Sequence, residues 1–187
     1  MRLFLAIDLP DDIIEKIKEI QKKIIHMNTD TNTTKPENLH ITLKFLGEVE
    51  EHNVDEIEKT VSDVVRKFCR FRVSVEGLGY FGKQDYIRVV WIGTGEGRER
   101  LVKLMTALNR ELNHIRREDY EPFPHITLAR IKSGRNRESL LHEIERLKDV
   151  KLGEFDVKKI KLKQSVLTKN GPIYTDLKCF RLCEDMM

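Results

Sequence analysis

The sequence has few cysteines and no long apolar run, and both shortages narrow the class of protein. Three cysteines occur among 187 residues, an odd number without a Cys-x-x-Cys pair, so we expect neither a disulfide framework nor a zinc ribbon. No apolar stretch approaches the about 20 residues that cross a bilayer, and the apolar segment near Met1 is too short for a signal peptide. We therefore predict a cytoplasmic protein that does not enter a membrane.

A strong excess of one charge is also missing. The chain has 34 Lys plus Arg and 31 Asp plus Glu, for a formal net charge of +3, which does not require a polyanionic partner although a local cluster could bind one. The hydrophobic content of 40% is enough for a core, which excludes a disordered or collagen-like protein. The length suits one domain or two small lobes, and no low-complexity linker divides it.

Apolar residues recur every three or four positions in four segments, the spacing of helices with one buried face. These predicted helices comprise 11–27, 54–68, 101–115 and 141–147. Asn53 is a plausible N-cap of the second helix, with Glu56 completing a capping box.

Seven short segments rich in β-branched and aromatic residues predict strands. They are 3–8, 39–46, 72–76, 86–92, 126–131, 160–163 and 173–182. The last two flank a turn at 168–172 and predict an antiparallel hairpin, so the fold class is α+β. The polar stretch from Asn28 to Lys35 is predicted as the longest loop.

One tetrapeptide, His-Ile-Thr-Leu, occurs at 40–43 and again at 125–128. Residues i and i+2 of a strand face the same side, so each copy presents an imidazole beside a hydroxyl while Ile and Leu enter a core. If a pseudo-twofold axis relates the halves of the chain, the two pairs face each other across a central cleft. A short repeat can arise by chance, so the hypothesis depends on the chemistry of the repeated residues.

Two imidazoles can catalyse a phosphodiester reaction without a metal. One removes a proton from the nucleophile while the other protonates the leaving oxygen, and histidine populates both forms because its unperturbed pKa is about 6.5. The hydroxyls of Thr42 and Thr127 can donate hydrogen bonds to phosphoryl oxygens, and Arg130 can stabilise the charge that develops there. In an ideal strand Arg130 points to the core side, so this role requires a strand end or a bulge.

Other interpretations of these residues are weaker. A single His-Ile-Thr-Leu is more often a strand with a half-buried histidine, but two symmetric copies reverse that preference. Zinc could use His40 and His125, yet no third ligand is indicated, so we predict no metal and no cofactor. The segment Gly93 to Gly97 fits neither nucleotide-binding fingerprint and predicts a loop and a helix start. No serine-hydrolase elbow is present.

A run of lysines lies on the first strand of the predicted hairpin. It is usually a solvated strand face, but Lys161 and Lys163 are candidate RNA-binding residues because such a face can follow a nucleic-acid backbone. Tyr174 on the second strand is a further candidate, since an aromatic ring can stack on a base.

Four blocks of the sequence resemble the 2H phosphoesterases, and within them the RNA 2′,3′-cyclic phosphodiesterases, also called 2′-5′ RNA ligases. The first three blocks lie at 2–10, 40–47 and 122–130, and the last comprises 165–167 with 171–174. This resemblance covers nearly the whole chain. It implies a single domain over 1–187 made of two pseudo-symmetric lobes, with two antiparallel sheets lining a central cleft and helices outside.

The resemblance also implies metal-independent hydrolysis of an RNA 2′,3′-cyclic phosphate to a 2′-phosphomonoester. By it, His40 donates a proton to the departing O3′ and His125 accepts one from the attacking water. Thr42, Thr127 and Arg130 match phosphate contacts. The implied partner is an RNA with a cyclic-phosphate end, tRNA and nucleotides are candidate partners, and we expect a monomer.

Two alternatives stay open at this point. The same site could join a 2′,3′-cyclic phosphate to a 5′-hydroxyl in a 2′-5′ linkage, with acid and base exchanging roles; water at about 55 M favours hydrolysis. A non-catalytic RNA- or nucleotide-binding protein could instead use the cleft as a phosphate receptor. Histidine in both motifs argues against this, because Lys or Arg would serve binding alone equally well.

Overall fold

The computed structural model describes residues 1–184, and within them it contains four α-helices, two 3₁₀ helices and nine strands. The helices are α1 (Asp11–His26), α2 (Val54–Val65), α3 (Arg98–Glu111) and α4 (Arg137–Arg146). The strands are β1 (Arg2–Asp8), β2 (Thr31–Thr33), β3 (His40–Glu48), β4 (Phe71–Lys83), β5 (Tyr86–Thr94), β6 (His125–Ile131), β7 (Lys151–Val157), β8 (Lys159–Thr168) and β9 (Gly171–Arg181). None of these helices is long and apolar enough to cross a bilayer.

The strands pair antiparallel in the order β7-β4-β5-β6-β3-β1-β8-β9, and β2 adds to β6. The two motif strands, β3 and β6, meet in the middle through a single residue pair, Ile41 with Ile126. The predicted α+β class with antiparallel strands is confirmed. The two predicted sheets are joined at this pair, so hydrogen bonding makes them one continuous sheet. One half contains β2, β4, β5, β6 and β7, and the other contains β1, β3, β8 and β9.

The helices cover the apolar side of the sheet. Contacts join α1 to β6 and β7, α2 to β9, α3 to β3, and α4 to β4. Ile13 and Ile17 of α1 and Ile41 and Ile126 of the motif strands are fully buried. Strand alternation therefore places the motif isoleucines in the core and leaves the motif histidines and threonines partly exposed.

A bulge interrupts the alternation of β6. Its register against β5 passes from Thr127 to Ala129 in one step, so Leu128 is an extra residue without a partner of its own. Leu128 and Ala129 are both buried, whereas Arg130 is exposed. An extra residue shifts the alternation by one, which turns Arg130 to the side that carries His125. This bulge is the one that the predicted role of Arg130 requires.

β3 has a bulge at the same motif position. Its register against β1 passes from Thr42 to Lys44, with Leu43 as the extra residue. Lys44 is buried and Phe45 is exposed, just as Ala129 and Arg130 are in β6. The two motif strands therefore share the same local geometry over six residues.

The expectation of a loop from Asn28 to Lys35 is wrong in part, because this segment contains β2, whose polar residues give no strand signal by themselves. The strand β7 was not predicted. Asn53 occupies the predicted N-cap position of α2, but its side chain makes no capping hydrogen bond.

The expectation that the cysteines form no disulfide is also wrong. Cys69 and Cys183 are disulfide-bonded, with Cα atoms 4.3 Å apart and a sequence separation of 114 residues. Backbone hydrogen bonds from Arg70 to Cys183 and from Cys183 to Phe68 hold the two segments together. Cys179 is free and exposed. The number and spacing of cysteines could not indicate this pair, because tertiary folding alone brings the segments into contact.

Candidate active site

The motif side chains line one cavity of about 960 Å³ at the junction of the two halves of the sheet. The predicted residues that the structure brings together there are His40, Thr42, His125, Thr127, Arg130 and Tyr174. Residues of β1, β3, β6 and the tip of the β8–β9 hairpin line this cavity. The side chain of Asn38, which precedes β3, donates a hydrogen bond of 2.9 Å to the Pro172 carbonyl at the hairpin tip. Residues far apart in sequence thus face a common space large enough for a nucleotide.

The ring of each motif histidine is oriented by a backbone carbonyl two residues before it. The distance from Nδ1 of His40 to the Asn38 oxygen is 2.6 Å, and from Nδ1 of His125 to the Phe123 oxygen 2.7 Å. A carbonyl only accepts, so Nδ1 carries the proton in both rings. Each Nε2 is then a free base when the ring is neutral, and Thr42 Oγ1 lies 2.9 Å from Nε2 of His40.

Aromatic rings surround both imidazoles. His40 packs against Phe4 and Tyr174, with ring centroids 5.2 and 5.5 Å away. His125 packs against Phe81 and Phe123, at 4.9 and 5.8 Å. Apart from Tyr174, sequence reasoning assigned no site role to these aromatic residues, because a core aromatic residue has the same local pattern.

This burial disfavours the charged imidazolium and lowers the pKa of both histidines, that of His40 to about 4. The nearby charge of Lys163 lowers the pKa of His40 further, and that of Arg130 lowers the pKa of His125. Both rings are therefore neutral near pH 7 while the cavity holds no anion. A phosphate bound between them would stabilise the imidazolium and raise both pKa values.

The cavity is lined by cations and, within residues 1–184, by no carboxylate. The cationic residues are Arg2, Lys35, Arg116, Arg130, Lys132 and Lys169. A low-dielectric cleft with one sign of charge concentrates ligands of the opposite sign. Among them, sequence reasoning identified only Arg130 as a phosphate contact. Nothing in the local sequence of the others distinguishes them from the rest of the lysines and arginines, of which the chain has 34 in all.

The expectation of a solvated basic face is wrong for Lys161 and Lys163. The amine of Lys163 lies 2.9 Å from Asp8 and 2.7 Å from Asp176, and only 10% of its side chain is exposed. Lys161 binds the same two carboxylates. Two carboxylates neutralise the two amines, and neither lysine lines the cavity. Their candidate RNA-binding role thus loses the exposed charge on which it depended.

An antiparallel sheet in which two His-x-Thr strands face one cationic cavity defines a class, the two-histidine phosphoesterases. The chain belongs to the LigT-like phosphoesterase family, whose model matches it twice, over residues 7–91 and 92–174. Each match contains one copy of the motif.

Relatives agree with this membership over almost the full chain. An RNA 2′,3′-cyclic phosphodiesterase from Methanothermobacter thermautotrophicus is 39% identical over 97% of this chain and 99% of its own. The crystal structure of TT0787 from Thermus thermophilus has a TM-score of 0.83 and 29% identity, with both chains covered completely. E. coli LigT in complex with 3′-AMP has a TM-score of 0.77 and 26% identity, with 97% of both chains covered.

Proposed function

We propose that this chain hydrolyses the 2′,3′-cyclic phosphate at the end of an RNA to a 2′-phosphomonoester, by a two-histidine mechanism that needs no metal. The observation that carries this proposal is the placement of His40 and His125 in one cationic cavity, each with Nδ1 bound to a carbonyl. The partner of Nε2 in His40 is the rotatable hydroxyl of Thr42, so Nε2 of both rings can take part in proton transfer. The names of the relatives support the activity. The 3′-AMP bound to E. coli LigT supports a nucleotide as the ligand.

In the proposed reaction, His125 acts as the base. Its neutral Nε2 accepts a proton from a water molecule as the water oxygen attacks phosphorus. The P–O3′ bond breaks, its electron pair goes to O3′, and the Nε2–H of protonated His40 donates a proton to that oxygen. The products are a 3′-hydroxyl and a 2′-phosphomonoester, with His125 protonated and His40 neutral until solvent exchange restores them.

The proton that His40 donates must be acquired when substrate binds, because the free imidazole is neutral near pH 7. The anionic cyclic phosphate supplies the charge that raises the pKa of His40. When Nε2 of His40 is protonated, the Thr42 hydroxyl can no longer donate to it. The hydroxyl then accepts a hydrogen bond from Nε2–H or donates one to a phosphoryl oxygen. A hydroxyl can do both because it rotates.

Thr42, Thr127 and Arg130 bind the phosphate in this proposal. The hydroxyls donate to phosphoryl oxygens, and the guanidinium stabilises the extra negative charge of the transition state. Tyr174 packs beside His40 and lines the same cavity, so it remains the proposed contact to the ribose or base.

The proposed unit is one domain over 1–187 made of two pseudo-symmetric lobes. The repeated family match and the shared bulge position in β3 and β6 support it. All proposed site residues come from one chain, so the monomer is the proposed active form. The proposed location of the activity is the cytoplasm.

Product identification in chelator tests the proposal. The pure protein is incubated with EDTA and an adenosine dinucleotide that ends in a 2′,3′-cyclic phosphate, and ³¹P NMR locates the phosphate. We expect complete conversion to the 2′-phosphomonoester. A 3′-phosphate product would contradict the assigned roles of the histidines. Loss of activity in EDTA that zinc or manganese restores would contradict the metal-free mechanism.

A further inference from the structure

Arg116 lies across the backbone of Gly47 at the far end of β3, inside the cavity. Its Nη1 atom is 2.7 Å from the point that a Cβ atom at position 47 would occupy. Gly47 also has φ +72°, a conformation that side chains disfavour. Only glycine leaves this space free. Glycine at position 47 of β3 therefore makes room for the guanidinium of Arg116, which follows α3 in the chain.

The segment that carries Arg116 is fixed by the amine of Lys44, a side chain with no exposed surface. This amine donates to Asn109 Oδ1 at 2.7 Å and to the carbonyl of Arg116 itself at 2.8 Å, and it lies 3.5 Å from the Glu118 carboxylate. The Phe45 amide also donates to Glu118, at 3.3 Å. A buried ammonium is unfavourable unless it is fully paired, so these contacts restrict the backbone on which Arg116 stands.

Arg116 itself has no ion pair among the described residues. The nearby carboxylate of Glu118 is already used by Lys44 and by the Phe45 amide. Arg2, on the neighbouring strand opposite Glu48, is a second cavity-lining cation at this end. Arg2 likewise forms no ion pair within residues 1–184, so both guanidiniums present charge to the cavity, away from the histidine pair.

The register of β3 against β1 gives the distance from Thr42, in the histidine motif, to Gly47, beside the Arg116 guanidinium. Thr42 pairs with Ala6 and Gly47 pairs with Leu3. These partners are separated by three steps along β1, or about 10 Å at roughly 3.4 Å per residue. A phosphate held between the two histidines does not extend over this distance, whereas the backbone of an oligonucleotide does.

We propose that Arg116, with Arg2 beside it, forms a second phosphate subsite that binds an internucleotide phosphate of the RNA chain. The inference rests on the proposed function for the first phosphate and extends it, because it makes oligonucleotides preferred ligands over mononucleotides. Lys44 is a positioning residue for this subsite, and Gly47 leaves room for it.

Binding of 3′-phosphorylated adenosine mono-, di- and trinucleotides tests the subsite by calorimetry. Arg116→Ala should weaken the affinity for the longest ligand at least about tenfold more than that for 3′-AMP, since a charge-assisted hydrogen bond is lost. The slope of log K against log salt for that ligand should fall by about 0.7, the value for one phosphate contact on a single strand. Arg116→Lys should keep part of the slope.

Two further variants make the result specific. Arg110→Ala removes an exposed arginine of α3 that pairs with Glu111 outside the cavity and should leave all three affinities unchanged. Gly47→Ala should displace the guanidinium and reproduce the length-dependent loss, with thermal melting to confirm that the protein is folded. Equal loss for all three ligands in Arg116→Ala, or no loss for any, would overturn the subsite.

Turnover of the corresponding cyclic phosphates separates the two proposals. If wild-type protein hydrolyses none of them while Arg116→Ala still weakens the longer ligand selectively, the proposed reaction fails and the subsite stands. If all are hydrolysed and the Arg116→Ala effect does not depend on length, the subsite fails and the reaction stands.

Discussion

The side-chain amide of Gln21 donates a hydrogen bond of 2.9 Å to the carbonyl of Leu128, the extra residue in the bulge of β6. The same amide donates to the Thr34 carbonyl at 2.8 Å, and the Thr34 amide donates to Leu128 at 2.9 Å. Gln21 belongs to α1 and is only 5% exposed. A buried helix residue thus holds both the bulge that turns Arg130 into the cavity and the segment that follows β2.

Gln21→Leu should therefore lower activity through Arg130. The substitution removes one buried and one partly buried hydrogen bond, with a loss of roughly 1 to 3 kcal/mol in folding free energy, and it loosens the bulge. We expect kcat/KM to fall about tenfold. A double-mutant cycle with Arg130→Ala tests whether Gln21 acts through Arg130. The effect of Gln21→Leu on kcat/KM should largely vanish when Arg130 is absent. Additive effects of the two substitutions would contradict it.

His40→Asn and His125→Asn should each lower kcat by at least about 10², because each removes one of two proton transfers. The double variant should be little worse than the poorer single one, since both groups act in one step. Single-turnover hydrolysis of a dinucleotide cyclic phosphate measures this. His142→Asn, on the exposed surface of α4, is the matched control. More than a tenth of the wild-type rate in either active-site variant would exclude the mechanism.

The pH dependence should differ between free and bound protein. Burial lowers the pKa of His40 to about 4 and also lowers that of His125, and kcat/KM reports the free protein. Its bell-shaped profile should have an optimum below about pH 6.5. Bound phosphate raises both pKa values, so the optimum of kcat should lie at higher pH. Coincident profiles, or a kcat/KM optimum near pH 8, would argue against this electrostatic picture.

Lys163→Ala should destabilise the fold. The amine bridges Asp8 and Asp176, but Lys161 still binds both carboxylates, so we expect a loss of roughly 1 to 3 kcal/mol. Burial alone would raise the pKa of Asp8, yet the hydrogen bonds from the lysines lower it below 3.8. The contribution of ionised Asp8 to the free energy of unfolding is therefore complete above about pH 4, and it disappears as the pH falls through the lowered pKa.

Urea melts of the Lys163 variant and wild type at several pH values test this. The difference in stability should be full near about pH 6 and should shrink in acid. Lys159→Ala, exposed on the same strand, should have little effect. A difference that grows as the pH falls below about 4 would show that the pairing with Asp8 is not its source.

Reduction of the Cys69–Cys183 disulfide should lower stability and leave the chemistry in place. The bond closes a loop of 114 residues in sequence separation, and such cross-links stabilise by roughly 2 to 4 kcal/mol. Neither cysteine lines the cavity. Melting temperature with and without reductant measures the effect, and Cys179→Ser is the control. A loss of kcat in folded, reduced protein would link the disulfide to the site.

Local sequence determined much of this protein. The periodicity of Ile13, Ile17 and Ile24 makes α1 amphipathic wherever it packs, and the alternation in His-Ile-Thr-Leu separates a polar pair from an apolar pair on any strand. These signals depend only on the geometry of one element. They were therefore sufficient to predict four helices, most strands and the paired histidines and threonines.

Contacts between segments distant in sequence determined the features that local sequence did not predict. The bulge that redirects Arg130 depends on β5 and on Gln21. The pairing of Cys69 with Cys183 depends on the segments before β4 and after β9, which meet only in the folded chain. Lys163 and Arg116 are both cationic residues, yet Lys163 is buried between two carboxylates and Arg116 lines the cavity. A side chain acquires such a role from its neighbours in space, and pairing between remote strands sets those neighbours, so the local pattern of residues could not show it.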